Sequence, residues 1–328
     1  MTFWDDTPAD GPPTDVTVRF VGIRRDVDEE SESPDTFERF VTVSGVPAGA
    51  GRLAVTAKVS DIAPGRWDVA AARAEPPTGE RWSPVQTERL ATTFAPFAHG
   101  PAVRLWSWPA LVGAGALLAL LLQFVLLTFI QGNPAAALGI SALACLLGYA
   151  GAKVYTVVLN RESFGRILQT GACIQGFLLV AFAVLALGSA VAGLGVGPVL
   201  DATTPGLFLG MAVGRPGCFL SGCCAGRATS SRWGLWSSDR SVAIRRVPVQ
   251  LMEAAAAAVI GAVTLGLFVG LGDMGGGLFV GGLAVYVLAR QGLFGLRANP
   301  RTARGRALTV GLGLLVLAAD FVVVAGMW

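Results

Sequence analysis

The chain has 328 residues, of which 53% are hydrophobic and only 14% are charged. Residues 1–98 carry 16 acidic and 10 basic side chains, a net charge of −6, whereas the remainder carries 6 and 15, a net charge of +9. This composition excludes an ordinary soluble protein and predicts an acidic polar segment followed by a basic membrane-embedded one. The odd number of cysteines, five, and the clustering of three of them within 218–224 argue against a disulfide framework. The first twenty residues lack the basic start and apolar core of a cleaved signal peptide.

Residues 1–98 contain short β-branched runs that partly alternate apolar and polar residues. Gly, Pro and Asp interrupt these runs, which read TDVTVRFVGIRR, RFVTVSGVPA, GRLAVTAKVSDI and GRWDVAAARA. We predict a small soluble antiparallel β domain over 1–98, a sandwich with a frayed acidic start. The acidic run Asp26–Asp35 is interpreted as a solvated loop. Nothing in this domain indicates chemistry, and its binding partner is unknown from sequence.

The remainder, residues 99–328, is predicted to form an all-α transmembrane bundle of seven helices. Each apolar run approaches the roughly 20 residues that a helix needs to cross a bilayer. A polar head loop at about 222–247 separates the fourth and fifth spans. The predicted spans are 105–131, 135–159, 167–193, 203–222, 248–271, 275–295 and 307–327.

Counting membrane crossings places most of the polar side chains of the spans on one side of the bundle, the side on which the β domain lies. We call it side A. Asp201 and Asp273 are the loop charges predicted for the opposite side. The pattern predicts that side A of the bundle carries the polar functional groups. The span residues that fall toward side A are Trp106, Thr170, Arg215, Gln250, Glu253 and Arg290.

Two arginines lie within predicted spans, where an ionised side chain costs roughly 2.5–3.5 kcal/mol or more near the centre. Arg290 is about 7 Å inside the end of its span, and an alternative for this residue is that it snorkels to the interface. Arg215 lies between Gly214 and Pro216. We expect this sequence to break the helix and expose backbone N–H groups, as anion-binding turns do. Two inward arginines suit a phosphate, which the guanidinium binds through paired hydrogen bonds.

Four motifs now resemble the prolipoprotein diacylglyceryl transferase family, seven-span enzymes that move a diacylglyceryl group from phosphatidylglycerol to a lipoprotein cysteine. The family's Gly-Arg-Ile-Gly-Asn-Phe signature, with its following Gly-Glu pair and closing Gly, reads GRPGCFLSGCCAG here. Arg215 falls on the signature arginine, Gly217 and Phe219 match, and Gly226 takes the closing glycine. The resemblance covers about residues 99–328.

The other three motifs follow the same order on the spans. Pro-x-Gln-Leu-x-Glu-Ala appears as PVQLMEA, which contains Gln250 and Glu253. Tyr-x-x-x-Arg appears as YVLAR, with Tyr286 and Arg290 one helical turn apart on one face. The stretch GPAVRLWSWPALVG resembles the family's Gly-Pro entry and aromatic pair.

Four departures from the family pattern concern residues that bear on its chemistry. Cys218 stands for the signature Asn, Cys223 for its Glu, and Trp106 for a Tyr. The third span of the family carries a histidine with a base or orienting role, but here Thr170 occupies that place. The single histidine of the chain is His99, which precedes the first span. The phosphate-facing arginines are kept while much of the proton-handling apparatus is lost.

The resemblance implies a diacylglyceryl transferase whose partners are phosphatidylglycerol, a prolipoprotein lipobox cysteine and membrane lipids, with no nucleic acid. It implies neither a cofactor nor a metal, and the C-x₄-CC spacing is a poor match to metal sites. The predicted catalytic residues are Arg215, Arg290, Tyr286, Thr170 and Cys223. The predicted lipid-binding residues are Gly217, Cys218, Gly226, Gln250, Glu253 and Trp106.

Several roles stay open at this point. Cys223 or Glu253 could accept the proton that the histidine would take, or Glu253 could instead be the hydrogen-bond partner of an arginine or of Gln250. The cysteines have a plain alternative as small apolar residues that pack close to backbone. An alternative for the whole chain is a family-derived protein that binds anionic phospholipid or lipoprotein without turnover.

The family works at the bacterial plasma (inner) membrane with its active site on the outer face. We therefore expect the N-terminal domain and side A to lie outside. The loop arginines of side A conflict with this orientation, because positively charged loops favour the cytoplasm. Two points weaken the conflict. The 98-residue β domain exceeds the roughly 60-residue limit of that rule, and arginines near a lipid-binding mouth serve anionic headgroups.

Overall fold

A computed structural model describes residues 1–25, 36–59, 62, 64–74, 85–92, 100–130, 133–161, 163–167, 173–298 and 303–326. The chain divides into two compact units. The strand unit comprises Met1–Ala110, Pro216–Met252 and Gly295–Pro300. The helix unit comprises Leu111–Arg215, Glu253–Phe294 and Arg301–Trp328.

The strand unit contains two four-stranded antiparallel sheets in the described part of the chain. One sheet has the order β1-β4-β8-β7 and the other the order β3-β2-β5-β6. Alternating apolar residues of both sheets share one core, so the two sheets form a sandwich. The strands are β1 Thr2–Asp6, β2 Thr14–Arg24, β3 Thr36–Val46, β4 Arg52–Thr56, β5 Gly65–Arg73, β6 Gln86–Thr92, β7 Leu235–Ser238 and β8 Val242–Arg246.

Strands β7 and β8 come from the polar head loop, and they complete a sheet begun by the N-terminal strands. Ala54 of β4 pairs with Ala243 of β8, and Val55 pairs with Val242. Ile244 is fully buried in the shared core. The head loop and the N-terminal region therefore fold as one sandwich, a pairing that the sequence did not indicate.

The first residues are not frayed, contrary to the sequence-based expectation. They form β1, which pairs with β4 from Thr2 opposite Thr56 to Asp6 opposite Arg52. Phe3 is fully buried in the core, and this burial fixes the strand despite its neighbouring acids. The acidic run Asp26–Asp35 lies outside the described residues.

The shared core makes a testable prediction for Ile244, which lies almost 190 residues beyond β4 in sequence. Replacing it with alanine removes buried methyl groups and should destabilise the sandwich by about 2–5 kcal/mol. Limited proteolysis should then cut the N-terminal strands faster than in the unchanged protein. Leu235→Ala is the matched control, because Leu235 is 42% exposed. Unchanged cleavage in Ile244→Ala would show that the N-terminal strands do not depend on the head loop.

Seven helices in the described part of the chain are long and apolar enough to cross a membrane. They confirm the predicted class, a seven-helix transmembrane bundle preceded by a small β-sheet region. Helix α2 packs along α3, and α6 packs along α7. The helices are α1 Ser107–Phe129, α2 Pro134–Asn160, α3 Ile174–Val191, α4 Val196–Leu220, α5 Val249–Leu271, α6 Gly277–Leu293 and α7 Ala303–Ala325.

Helix α4 differs most from its prediction. It begins seven residues before the predicted start at 203 and continues without interruption through Gly214, Arg215 and Pro216. The expected helix break there was wrong. In an apolar environment the backbone groups must form their hydrogen bonds within the helix. Breaking the helix would leave several backbone groups without partners, whereas a proline within the helix removes only one N–H donor.

Small residues let α1 and α4 approach closely inside the helix unit. A Cβ built on Gly210 would lie 2.5 Å from the carbonyl oxygen of Gly115, and one on Gly206 would lie 2.6 Å from the oxygen of Ala119. In lipid there is no hydrophobic driving force for helices to associate. Membrane helices therefore rely on close packing of their backbones, which small residues allow.

Asp201 is a correction to the predicted set of loop charges. It lies within α4, is fully buried, and accepts hydrogen bonds from the backbone N–H groups of Met274 (2.7 Å), Gly276 (2.9 Å) and Phe279 (3.2 Å). These donors lie at and just before the start of α6, where helix N–H groups lack partners within the helix. Asp201 therefore fastens α4 to the N-terminal end of α6.

Candidate functional site

Helices α4, α5 and α6 bring four polar side chains together inside the helix unit. Arg215 contributes Nη1 at 3.1 Å from Glu253 Oε2 and donates from Nη2 to the Tyr286 hydroxyl at 3.1 Å. Arg290 places Nε 3.5 Å from Glu253 Oε1. Two guanidinium groups thus share one carboxylate, with each oxygen of Glu253 facing one arginine.

Helical geometry explains why these residues meet. Tyr286 and Arg290 are four residues apart on α6, so their side chains project from the same face. The Tyr286 ring packs on Phe208 of α4 with 5.7 Å between ring centroids. The Arg290 guanidinium lies 5.6 Å from the ring centroid of Phe294. The aromatic contacts orient both polar ends toward Arg215 and Glu253.

Burial distinguishes the carboxylate from its two partners. The Glu253 side chain is 1% exposed, whereas Arg215 is 13% and Arg290 is 24% exposed. The Glu253 side chain is thus enclosed, while both arginine side chains keep part of their surface exposed. A charge this deeply buried requires ion pairing, and removing one partner of a buried pair typically costs about 3–5 kcal/mol. We call Arg215, Glu253 and Arg290 the arginine–glutamate triad.

The turn after α4 is built differently from the predicted phosphate-binding turn. Gly222 has a positive φ of 70°, and its N–H bonds the Phe219 carbonyl at 3.4 Å. The Cys223 N–H bonds the Cys218 carbonyl at 3.0 Å. This pair of bonds is the Schellman closure of a helix C-terminus. These N–H groups satisfy the C-terminal end of α4. The anion-binding turn predicted at Gly214–Pro216 does not form, because those residues are helical.

Other predicted residues surround this turn in the strand unit. The Gly217 carbonyl accepts the Ser221 N–H at 2.9 Å, and Cys218 is buried. Gln250 is 3% exposed and donates from Nε2 to the Cys223 carbonyl at 2.9 Å. Gln250 thereby ties the start of α5 to the turn, a contact made to backbone and not to Glu253.

The Cys223 thiol ionises less readily than the thiol of an ordinary cysteine. A hydrogen bond with Cys218 lowers the pKa of this thiol. The hydrogen bond with Cys224 and burial both raise the pKa, and the net shift is upward. A raised pKa leaves less thiolate at neutral pH than an ordinary cysteine has. This shift weighs against Cys223 as the general base and leaves a neutral thiol that accepts a 3.5 Å contact from the Ser221 hydroxyl.

Gly226 is held so tightly that only glycine fits. A Cβ there would lie 2.0 Å from the Val247 carbonyl oxygen. Arg246, which the sequence reasoning missed, donates from Nη1 to the Gly226 carbonyl at 3.1 Å and pairs through Nη2 with Asp239 at 2.6 Å. It is the last residue of strand β8, VAIRR, in which two arginines follow three apolar residues. Arg246 anchors the segment that follows the turn.

Two predicted residues remain, Trp106 and Thr170. Trp106 is 78% exposed at the start of α1 in the strand unit. Thr170 lies outside the described residues, so its predicted role stays a prediction.

The seven apolar helices of the described residues define a multi-pass membrane protein. The arginine–glutamate triad places three ionisable side chains among three of these helices. A family model described as prolipoprotein diacylglyceryl transferase matches residues 100–327. The chain belongs to this family, which confirms the resemblance seen in its motifs.

A curated relative supports the same assignment. The chain is 32% identical over 164 residues to the phosphatidylglycerol–prolipoprotein diacylglyceryl transferase of Dehalococcoides mccartyi. The matched region covers 48% of this chain and 63% of the relative. The match therefore spans less than two thirds of the relative's length.

Proposed function

We propose that the protein transfers a diacylglyceryl group from phosphatidylglycerol to the thiol of a lipoprotein cysteine. The observation that carries the proposal is the pair of arginines that share Glu253. The side chains of Arg215 and Arg290 keep part of their surface exposed. The planar guanidinium is the side-chain group best suited to bind phosphate through paired hydrogen bonds. The family and the name of the relative supply the reaction class.

In the proposed reaction, the acceptor cysteine loses its proton and its thiolate attacks the terminal glyceryl carbon of the lipid. A carbon–sulfur bond forms, and the bond between that carbon and the phosphate oxygen breaks with its electron pair on oxygen. The leaving group is glycerol phosphate, which gains one negative charge in the step. Arg215 and Arg290 stabilise this developing charge, the kind of contribution that is usually largest in catalysis.

Tyr286 supports the step by holding Arg215. Its hydroxyl accepts the Nη2 hydrogen bond, and its buried ring fixes the direction of that bond. Arg215 is therefore oriented from two sides, by a carboxylate on Nη1 and by a hydroxyl on Nη2. A guanidinium held this way needs little rearrangement when the phosphate arrives.

The proton of the acceptor thiol has no assigned base. Thr170 takes the place of the family's histidine and cannot accept a proton, and Glu253 is engaged with two arginines. A thiol with a reference pKa of about 8.5 is already partly ionised at neutral pH, so transfer can proceed from that fraction. A missing base lowers the rate by roughly 10²–10⁴-fold without abolishing the reaction.

The second candidate function is lipid binding without turnover, and the departure at Thr170 is the observation that favours it. Both candidates place the protein in a bacterial inner membrane, with the triad serving the outer leaflet. The two candidates differ only in whether the diacylglyceryl group becomes attached to an acceptor cysteine as a thioether.

Complementation separates the two candidates. We expect this chain to restore lipidated lipoprotein in cells depleted of their own transferase, whereas Arg290→Ala should not. Arg304→Ala, an exposed residue near the start of α7, is the control for loss of a basic charge and should complement normally. Failure of the unchanged, membrane-inserted chain would favour the binder.

A further inference from the structure

We propose that Gln291 and Arg306 form a subsite for a hydroxyl group of the phospholipid headgroup, at the place where α6 ends and α7 begins. The inference rests on the proposed function, because it concerns the same lipid and names the chemical feature by which its headgroup is selected. The ligand class is a phosphodiester lipid whose headgroup is an uncharged alcohol with a free hydroxyl.

The two side chains come from consecutive helices of the helix unit. Gln291 directly follows Arg290 in the last turn of α6, and Arg306 lies in the first turn of α7. Arg306 donates from Nη2 to the main-chain carbonyl of Gln291 at 3.1 Å. This contact therefore lies one residue along α6 from an arginine that the proposed function assigns to the lipid phosphate.

One hydrogen-bond acceptor and one donor at this contact have no partner in the part of the chain that the structure describes. Gln291 is 4% exposed, and its Oε1 is buried without a hydrogen bond. The same holds for Nε of Arg306. Buried polar atoms of side chains are nearly always paired. An unpaired acceptor and an unpaired donor on two residues in contact thus point to a ligand group that pairs with both.

The chemistry of that ligand group follows from the two atoms. It must accept a hydrogen bond from Arg306 Nε and donate one to Gln291 Oε1, and a hydroxyl does both. A headgroup ammonium carries donors only and would face the positive guanidinium of Arg306. An alkyl headgroup leaves both protein atoms unpaired, which is costly when they are buried. The pair therefore selects an alcohol headgroup such as the glycerol of phosphatidylglycerol.

The first test uses the unchanged chain, purified in detergent, and two lipids. Phosphatidylpropanol has the same monoanionic phosphodiester and the same headgroup carbons as phosphatidylglycerol but no headgroup hydroxyl. We expect phosphatidylglycerol to bind roughly tenfold more tightly, because its loss of a hydroxyl would leave the two buried atoms unpaired. Equal affinities, the result expected if an ordered water fills the site with either lipid, would overturn the proposal.

The second test compares variants by the ratio of the two affinities, which general weakening of the fold does not change. Gln291→Met keeps the length of the side chain and removes the acceptor. Arg306→Lys keeps the charge and lacks the Nε donor. We expect both variants to bind phosphatidylpropanol as the unchanged chain does and to lose the roughly tenfold preference for phosphatidylglycerol. A preference retained in either variant would overturn the proposal.

Gln123→Met is the matched control for removal of a buried amide. Gln123 is 1% exposed on α1, and its Oε1 is also buried without a hydrogen bond among the described residues. Its Nε2 donates to Thr203 Oγ1 at 2.7 Å. We expect Gln123→Met to keep the full preference for phosphatidylglycerol. Loss of the preference in this control as well would overturn the assignment of the selectivity to Gln291.

The outcomes separate the two levels of inference. Binding of both lipids with equal affinity, and transfer from both at equal rates, would overturn the subsite and leave the proposed function in place. Absence of binding and of transfer with both lipids would overturn the proposed function, and the subsite with it.

Discussion

Arg215→Ala should lower diacylglyceryl transfer by about 10²–10³-fold, the loss usually seen when one stabiliser of developing negative charge is removed. The variant loses the Nη1 contact to Glu253 and the Nη2 donor to Tyr286 together. It also leaves the buried carboxylate with one arginine fewer, which should lower the free energy of unfolding by about 3–5 kcal/mol. Transfer to a lipobox peptide and thermal unfolding in detergent measure the two effects.

Arg215→Lys separates catalysis from stability. Lysine keeps the positive charge beside Glu253 but lacks the planar fork that reaches a second partner. We expect it to recover most of the lost unfolding temperature while transfer stays far below the unchanged level. If Arg215→Lys transfers lipid at the unchanged rate, then charge alone matters at this position and the bidentate role of Arg215 is wrong.

The second large effect is expected in the pH dependence of transfer. Because no base is assigned, the rate should climb with pH in proportion to the ionised acceptor thiol, whose reference pKa is about 8.5. From pH 6 to pH 8 this means an increase approaching 100-fold, since each pH unit below the pKa changes the thiolate fraction about tenfold. Lipid binding measured in parallel should stay constant, because the phosphodiester and the arginines do not titrate in this range.

Thr170→His tests whether the missing base explains that profile. A histidine at this position should raise the rate at neutral pH, by up to roughly 10²–10⁴-fold, and flatten the profile above its own pKa near 6.5. Thr170→Gln is a control of comparable polarity that accepts no proton. A pH-independent rate in the unchanged protein would mean that another group already serves as the base.

The sequence predicted the elements whose signal is local. Apolar runs of about 20 residues located the seven long helices seen in the described residues. The four-residue spacing of Tyr286 and Arg290 predicted a shared face. The sequence left two roles open for Glu253, as a proton acceptor or as a hydrogen-bond partner. Residue spacing does not show which neighbouring helix faces this side chain. Its contact with both arginines follows from how α4, α5 and α6 pack, which is tertiary information.

The features that the sequence did not predict correctly also have specific physical causes. Glycine and proline around Arg215 indicated a broken helix, since both residues end helices in water, but a membrane helix keeps its bonds where no water replaces them. Asp201 was interpreted as a loop charge because its role needs the backbone donors near Met274 and Phe279, more than 70 residues away. Strands β7 and β8 are short, and β4, the N-terminal strand that pairs with β8, lies almost 190 residues earlier.

The sandwich gives residues 1–98 a physical connection to the head loop. Strand β8 ends at Arg246, whose guanidinium binds the carbonyl of Gly226 just after the α4 turn. Because β8 pairs with β4, the N-terminal strands support the element that anchors this segment. A structural role of this kind needs no separate binding partner for the β region.

The most direct measurement is transfer of radiolabelled diacylglyceryl from phosphatidylglycerol to a synthetic lipobox peptide by the purified chain, across pH 6–9. Mass spectrometry of the peptide identifies the thioether. We expect label on the cysteine at a rate that rises with pH and falls by at least about 100-fold in Arg215→Ala. No transfer at any pH by protein that still binds phosphatidylglycerol would contradict the enzyme and leave a lipid binder.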